Sequence, residues 1–239
     1  MSTNLVRGPN ERPLRLVVPG TARAGHDARD AVFPPGRGRV EGRSVAGLGR
    51  PVGRQMTLQV PRELPGLPPR PRVLQLTDGD CVSYGLVGRA ARGRASDQEV
   101  RSCLERVHAT AMFLDPHARV RCAVSTATAA RHFEVLAGAR NNSFAIRRGL
   151  DGADWALIEE LTDLIAARMA AARPGRRRPP GLADLVILVG KDKIYAPPVR
   201  QLRLLGIPTW LIVPGRQPAD ALCRAACAVT FIRPCRRVA

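Results

Sequence analysis

The chain has few aromatic residues, almost no lysine and no long apolar run. Aromatic residues make up 4% of the 239 residues, and Lys191 and Lys193 are the only lysines, so arginine supplies nearly all of the 38 cationic side chains. No stretch of about 18 apolar residues occurs, which argues against a membrane-spanning helix. The first residues also lack the apolar segment of a secretory signal. We therefore expect a cytoplasmic protein with no membrane partner.

What the chain has in excess is positive charge. Lys and Arg number 38 against 20 Asp and Glu, which gives a formal net charge of +18. Such an excess favours a polyanionic partner, and nucleic acid is the first candidate. The length and the 45% hydrophobic fraction suffice for one sizeable domain, or for a smaller domain with an appendage.

Cysteine and histidine are too scattered to predict a metal centre of their own. The six cysteines are Cys81, Cys103, Cys122, Cys223, Cys227 and Cys235. Cys223 and Cys227 lie four residues apart on an expected helix, but no second pair and no nearby histidine completes a zinc site. In a cytosolic chain such cysteines stay reduced and pack as small apolar residues.

The composition divides the chain near residue 72. The first 72 residues hold 11 of the 21 prolines, 10 of the 22 glycines and 13 arginines against 5 acids. This composition predicts a basic, largely disordered arm over 1–71 and a folded domain over 72–239. The short apolar pieces 14–18 and 56–60 are candidates for local strand pairing. Whether the arm contacts nucleic acid or only keeps the chain soluble stays open at this point.

From residue 73 onwards, apolar strand patterns alternate with helical ones. Strands are predicted over 73–77, 119–124, 144–147, 184–189, 208–213 and 228–232. Helices are predicted over 98–113, 129–137, 154–172, 197–205 and 219–226, with Ser96 as an N-cap. Near-continuous apolar strands that alternate with helices indicate an α/β fold, in which helices cover both faces of a mostly parallel sheet.

Acidic residues follow three of these elements. In a parallel sheet, ligands bind beyond the carboxyl ends of the strands. Asp78 and Asp80 follow the first strand, Asp154 opens a helix, and Asp192 follows the apolar strand 184–189. Oxygen ligands from separated carboxylates suit Mg²⁺ or Mn²⁺. Taken singly, each acid also fits a turn, a helix start or a loop. Their delivery to one edge makes the joint interpretation stronger.

These segments resemble the NYN domains, a family of PIN-like ribonucleases. The family has a strand entering D-G-x-N, a K-G-V-D segment entering a helix, and a strand entering S-G-D-x-D-F. Here LTDGDC at 76–81, LDGAD at 150–154 and LVGKDKIY at 188–195 are similar to these motifs in order and spacing. The segment VRQLRLLGIP at 199–208 resembles the next helix and turn. The resemblance covers about residues 72–233.

The resemblance implies a PIN-like, Rossmann-like fold and metal-dependent cleavage of RNA. It implies that Asp78, Asp154 and Asp192 are catalytic and bind the Mg²⁺ or Mn²⁺ ion, with Asp80 and Glu160 as auxiliary acids. The cations near these motifs are expected to hold RNA phosphates. They are Arg147, Arg148, Lys191 and Lys193.

This sequence departs from the family pattern at several positions. Cys81 stands where the family has Asn, Asp151 where it has Lys, and Ile194 where it has the second Asp of the third motif. The alternative is therefore a degenerate domain that binds RNA or a protein partner without cleavage. A homo-oligomer is a further candidate partner under either interpretation. A nucleotide-binding doubly wound domain is a third reading, weakened because no G-x-G-x-x-G follows a strand.

The two lysines flank Asp192. Three successive side chains of a strand-end loop cannot point the same way, so at most one lysine should face the carboxylates with Asp192. If Lys193 does, its ammonium group can take the place of a divalent ion.

Overall fold

A computed structural model describes residues 15–16, 58–62, 64, 66–86, 95–138, 142–149, 151–172, 181–215 and 218–232. Within them, seven strands form one sheet in the order β1-β4-β3-β2-β5-β6-β7. The strands are β1 Arg15–Leu16, β2 Val73–Asp78, β3 Arg119–Ser125, β4 Asn142–Arg147, β5 Leu185–Val189, β6 Thr209–Pro214 and β7 Ala228–Ile232. Strands β2 to β7 are parallel, and β1 pairs antiparallel with β4 at the edge.

Helices connect the parallel strands. They are α1 Gly79–Gly85, α2 Asp97–Leu114, α3 Thr126–Arg131, α4 Phe133–Gly138, α5 Gly152–Ala171, α6 Ala196–Leu204 and α7 Asp220–Ala225, with a 3-10 turn at Lys193–Tyr195. Helix α2 begins at the predicted N-cap, because the Ser96 hydroxyl accepts from the Glu99 N–H and Glu99 bonds back to the Ser96 N–H. None of the helices in the described ranges is long and apolar enough to cross a membrane.

The sheet has an apolar core on each face. Helices α1 to α4 pack on one face, and α5, α6 and α7 pack on the other. Strand β5 serves both, since Leu185, Ile187 and Val189 face the first core while Val186 and Leu188 face the second. Burial on both faces explains why this strand has no polar position. The predicted α/β fold is confirmed.

The helix predicted over 129–137 is two helices that meet at His132. The His132 ring turns into the protein and is almost fully buried. Its Nε2 lies 2.9 Å from the Ser83 Oγ, and its Nδ1 lies 2.6 Å from the Asp97 Oδ1. Ser83 belongs to α1 and Asp97 begins α2, so one imidazole connects three helical segments. A buried ring with both nitrogens bonded has a structural reason to interrupt the helix.

The packed part of the chain begins before the predicted boundary at residue 72. Leu58 and Leu64 are both buried in the core on the α2 side. The Leu58 N–H donates to the Thr110 hydroxyl, which itself donates to the Arg106 carbonyl. Residues 58–72 therefore pack on the domain where they are described. Most of the predicted arm, residues 1–57, lies outside the described residues apart from β1.

We expect Leu58→Ala to destabilise the protein by about 2–4 kcal/mol, because it empties a buried leucine site. Leu67→Ala, at a partly buried position of the same segment, should cost clearly less. Urea unfolding of the full-length variants measures both values. Equal, small effects at the two positions would show that residues 58–72 are not part of the cooperative core.

Candidate active site

The candidate site lies where neighbouring strands lead to opposite faces of the sheet. Strand β2 pairs with β5 in parallel register, with Thr77 opposite Val189. After β2 the chain enters α1 on one face, and after β5 it enters α6 on the other. Such a switch point opens a crevice at the carboxyl ends of the two strands, which is the usual ligand position in doubly wound sheets.

Asp78 lies buried at this switch point. It ends β2 and caps α1, where its Oδ1 accepts from the Cys81 N–H at 2.8 Å. The side chain is only 6% exposed. The next residue must be glycine, because a Cβ at Gly79 would lie 2.4 Å from the Val124 Cγ1. The Asp-Gly pair that resembles a simple turn in the sequence therefore starts a helix pressed against β3.

Asp80 is held by the neighbouring strand end. Its Oδ1 accepts from the Ser125 N–H at 3.1 Å and from the Ser125 hydroxyl at 3.0 Å. Ser125 also caps α3 by accepting from the Thr128 N–H. Asp80 thus joins the starts of α1 and α3, with its carboxylate close to Asp78 and Asp154.

Asp154 enters the site from α5 and contacts a buried tyrosine. Helix α5 begins two residues before the predicted start, so Asp154 lies in its first turn. The Tyr195 hydroxyl donates to the Asp154 Oδ1. Tyr195 is fully buried and packs over Gly190, where a Cβ would lie 3.2 Å from its ring and 3.9 Å from the Asp78 Cβ. The absent side chain at Gly190 makes room for the tyrosine beside Asp78.

Asp192 lies at the outer rim. It is exposed and caps the 3-10 turn, with its Oδ1 accepting from the Ile194 N–H at 3.2 Å. Lys193 is exposed, whereas Lys191 is half-buried. Burial raises the pKa of the Cys81 thiol well above its ordinary value, and the charge of Lys191 partly opposes that shift. Of the two lysines, Lys191 is therefore the one whose charge acts on Cys81, the residue that bonds Asp78.

Burial and mutual repulsion perturb the carboxyl groups. Burial, with smaller contributions from the charges of Asp154 and Asp80, raises the pKa of Asp78 from 3.8 to about 7. Burial also raises the pKa of Asp154, to which the charge of Asp192 adds, while the Tyr195 hydrogen bond opposes the shift. Raised carboxyl pKa values in a cleft are typical of functional sites, because the protein leaves the negative charge uncompensated.

These carboxylates fit a divalent cation in donor type and in charge. They offer oxygen atoms from three separate segments, and a cation would relieve the repulsion that raises their pKa values. Within the described ranges, however, no three or more His, Cys, Asp or Glu side chains are grouped closely enough to hold an ion. Glu160 does not join the aspartates, because it pairs with Arg121 at 3.3 Å and Arg119 at 3.7 Å along β3.

The arginines expected to hold phosphates lie at the start of α5. The Arg147 guanidinium donates to the Glu159 carboxylate on the exposed side of α5. Arg148 is exposed and forms no ion pair with any residue that the structure describes. Gly149, at a φ of 101°, turns the chain from β4 into the helix. Of these two arginines, Arg148 is thus the one without an ion pair among the described residues.

Sequence reasoning missed Tyr195 and Ser125, whose side chains hydrogen-bond to Asp154 and Asp80. Tyr195 stands at the aromatic position of the third motif, which was the available signal for it. Ser125 belongs to no motif. The register of β3 with β2 sets Ala123 beside Asp78, and this brings Ser125 to Asp80.

Comparison with known proteins leaves the family open. No model of a protein family matches the chain, and no curated protein matches it. A solved structure of a protein of unknown function from Vibrio parahaemolyticus is similar over 69% of this chain and 94% of its own, at 16% identity and a TM-score of 0.41. The likeness to NYN domains therefore depends on the motifs.

We expect Asp78→Asn to be more stable than the wild type at pH 8, by up to about 4 kcal/mol. The folded carboxyl has a pKa near 7 against an ordinary 3.8, so the folded state holds its proton more tightly than the unfolded state. Stability is therefore lost as pH rises from about 4 to about 7, and Asn avoids that loss while still capping α1. Urea unfolding at pH 5 and pH 8 measures the difference in unfolding free energy between Asp78→Asn and the wild type, and this difference should grow with pH. A difference that is the same at both values would contradict the buried, raised carboxyl.

Proposed function

We propose that this protein is a metal-dependent ribonuclease that hydrolyses RNA phosphodiesters in the acidic crevice between β2 and β5. The observation that carries the proposal is the placement of three acids at the switch point of the sheet: Asp78 is buried at the end of β2, Asp154 is bonded to Tyr195 beside it, and Asp192 follows β5. The net charge of +18 supports a polyanionic substrate. The three motifs that resemble NYN domains supply the reaction type.

Each residue of the crevice has a distinct task in this proposal. Asp78, Asp154 and Asp192 would hold Mg²⁺ or Mn²⁺, whose charge polarises the phosphodiester and lowers the pKa of the attacking water. Tyr195 orients the Asp154 carboxylate through its hydrogen bond. Arg148 and Lys191 bind backbone phosphates, which positions the RNA without reading its sequence.

The remaining two cations, Lys193 and Arg147, have less direct access to the crevice. Lys193 is exposed on the 3-10 turn, where it can bind a phosphate that leaves the crevice. Arg147 reaches a phosphate only when it releases Glu159. Asp80 acts on the aspartates through its charge, because Ser125 engages one of its oxygens.

The second candidate is a non-hydrolytic domain that binds RNA or a protein partner. Tyr195 already occupies one oxygen of Asp154, and Ile194 stands where the related motif has an acid. In the part of the chain that the structure describes, no three or more His, Cys, Asp or Glu side chains are placed to hold an ion. The non-hydrolytic candidate therefore expects no metal binding in the wild type.

A nuclease assay on the full-length protein tests the first candidate. With Mn²⁺ and an unstructured RNA, we expect cleavage that falls on the order of a hundredfold or more in Asp78→Asn, Asp154→Asn and Asp192→Asn. Asp163→Asn, at an exposed acid further along α5, is the matched control and should leave the rate unchanged. An inactive wild type, or a rate that ignores the three aspartates, would eliminate the proposal.

Calorimetry with Mn²⁺ separates the two candidates. In a ribonuclease, binding at pH 7 should release about half a proton, since Asp78 has a pKa of about 7 and must ionise to act as a ligand. Titrations in two buffers of different ionisation enthalpy measure that release. The non-hydrolytic reading instead expects no binding in the wild type, and a gain when Ile194→Asp adds a carboxylate and Tyr195→Phe frees Asp154.

A further inference from the structure

The two tryptophans of the chain occupy opposite environments. Trp210 is fully buried in the sheet core, and its Nε1 donates to the Thr230 hydroxyl at 3.0 Å. Trp155 is 52% exposed on α5. It directly follows Asp154, so its Cα is about 3.8 Å from that of a residue of the acidic crevice. In a chain with only 4% aromatic residues, the exposed tryptophan thus lies one residue beyond Asp154, near the start of α5.

The surroundings of Trp155 are charged rather than apolar. Asp151 and Glu159, one turn before and one turn after it, are both exposed on the same side of α5. The Arg147 guanidinium bonds to Glu159, and Arg148 is exposed in the preceding loop. A Cβ at Gly152 would lie 2.8 Å from the Arg147 Cβ, so this loop is pressed against the first turn of α5. The loop that carries both arginines is thus packed against the turn of α5 that holds Asp154 and Trp155.

We propose that Trp155 stacks on a base of single-stranded RNA. This contact holds the adjoining phosphodiester in the crevice of Asp78, Asp154 and Asp192. The inference rests on the proposed ribonuclease function and specifies its substrate as a single strand. The indole face stacks on a base of any identity, and Arg148 binds a neighbouring phosphate.

A single strand is favoured over a duplex by the position of the ring. The bases of a duplex are stacked on one another, so a protruding aromatic side chain reaches a base face only in an unpaired segment. A polyanion is favoured over a protein surface by charge, because the chain carries +18 and the loop that leads into α5 exposes Arg148, which forms no ion pair with any described residue.

Tryptophan fluorescence reports this contact directly. Because Trp210 is shielded in the core, quenching of the full-length protein by RNA follows Trp155. The titration uses an unstructured oligonucleotide and a duplex of equal length, with EDTA present to stop metal-dependent cleavage. We expect quenching by the single strand and none by the duplex. Quenching that is equal for both would overturn the assignment.

Substitutions identify the kind of contact. Trp155→Ala should weaken single-strand binding roughly tenfold, the scale of losing one stacked base, while Trp155→Phe keeps most of the affinity. Phe113→Ala, at a 71% exposed ring near the end of α2, is the matched control and should bind like the wild type. The slope of log K against log salt should be unchanged in Trp155→Ala but shallower by about 0.7 in Arg148→Ala.

The outcomes distinguish the two proposals. If Trp155→Ala binds and cleaves RNA like the wild type, the stacking role fails and the ribonuclease stands. If the wild type neither binds nor cleaves RNA, both fail, and a protein partner becomes the better occupant of this surface.

Discussion

The close approach of α1 to β3 is the constraint on which the crevice depends. A side chain at residue 79 would overlap Val124, so only glycine allows the helix to begin directly at the end of β2. That start makes Asp78 an N-cap buried against the sheet and brings Asp80 to Ser125. The same helix carries Ser83 to His132. The absence of a side chain at Gly79 thus determines the positions of two acids, Asp78 and Asp80, and of the buried Ser83.

Burial of Asp78 creates an electrostatic problem that the fold does not solve by itself. Desolvation and two neighbouring acids destabilise its charge, while the backbone N–H groups of Cys81 and Asp80 stabilise it. The Tyr195 hydroxyl gives Asp154 partial compensation. A proton can relieve the remainder, and in the proposed ribonuclease a divalent cation would do so instead. Because the Tyr195 hydroxyl already bonds one Asp154 oxygen, a metal ion would have to compete with it for that carboxylate.

Much of the fold could be predicted because both faces of the sheet are covered. Continuous apolar runs such as β5 and the helical spacing of α2 follow from that burial. Helix α1 could not be predicted, because Asp-Gly also fits a turn and only contact with Val124 distinguishes the two. The predicted strand ends indicated which acids lie at the same edge of the sheet. They could not tell that Glu160 turns to Arg121 or that Tyr195 bonds Asp154, since those contacts depend on register and helix rotation.

The Ser83–His132–Asp97 chain shows that the order of groups alone does not make a nucleophile. Its connectivity is that of a serine hydrolase, but the exposure is inverted. The serine is fully enclosed and the aspartate side chain is 60% exposed, whereas a hydrolase must present the serine to an acyl group and shelter the acid. Because no carbonyl carbon can approach Ser83, the relay works as a clamp between helices. Acylating reagents that label accessible serines would find no target there.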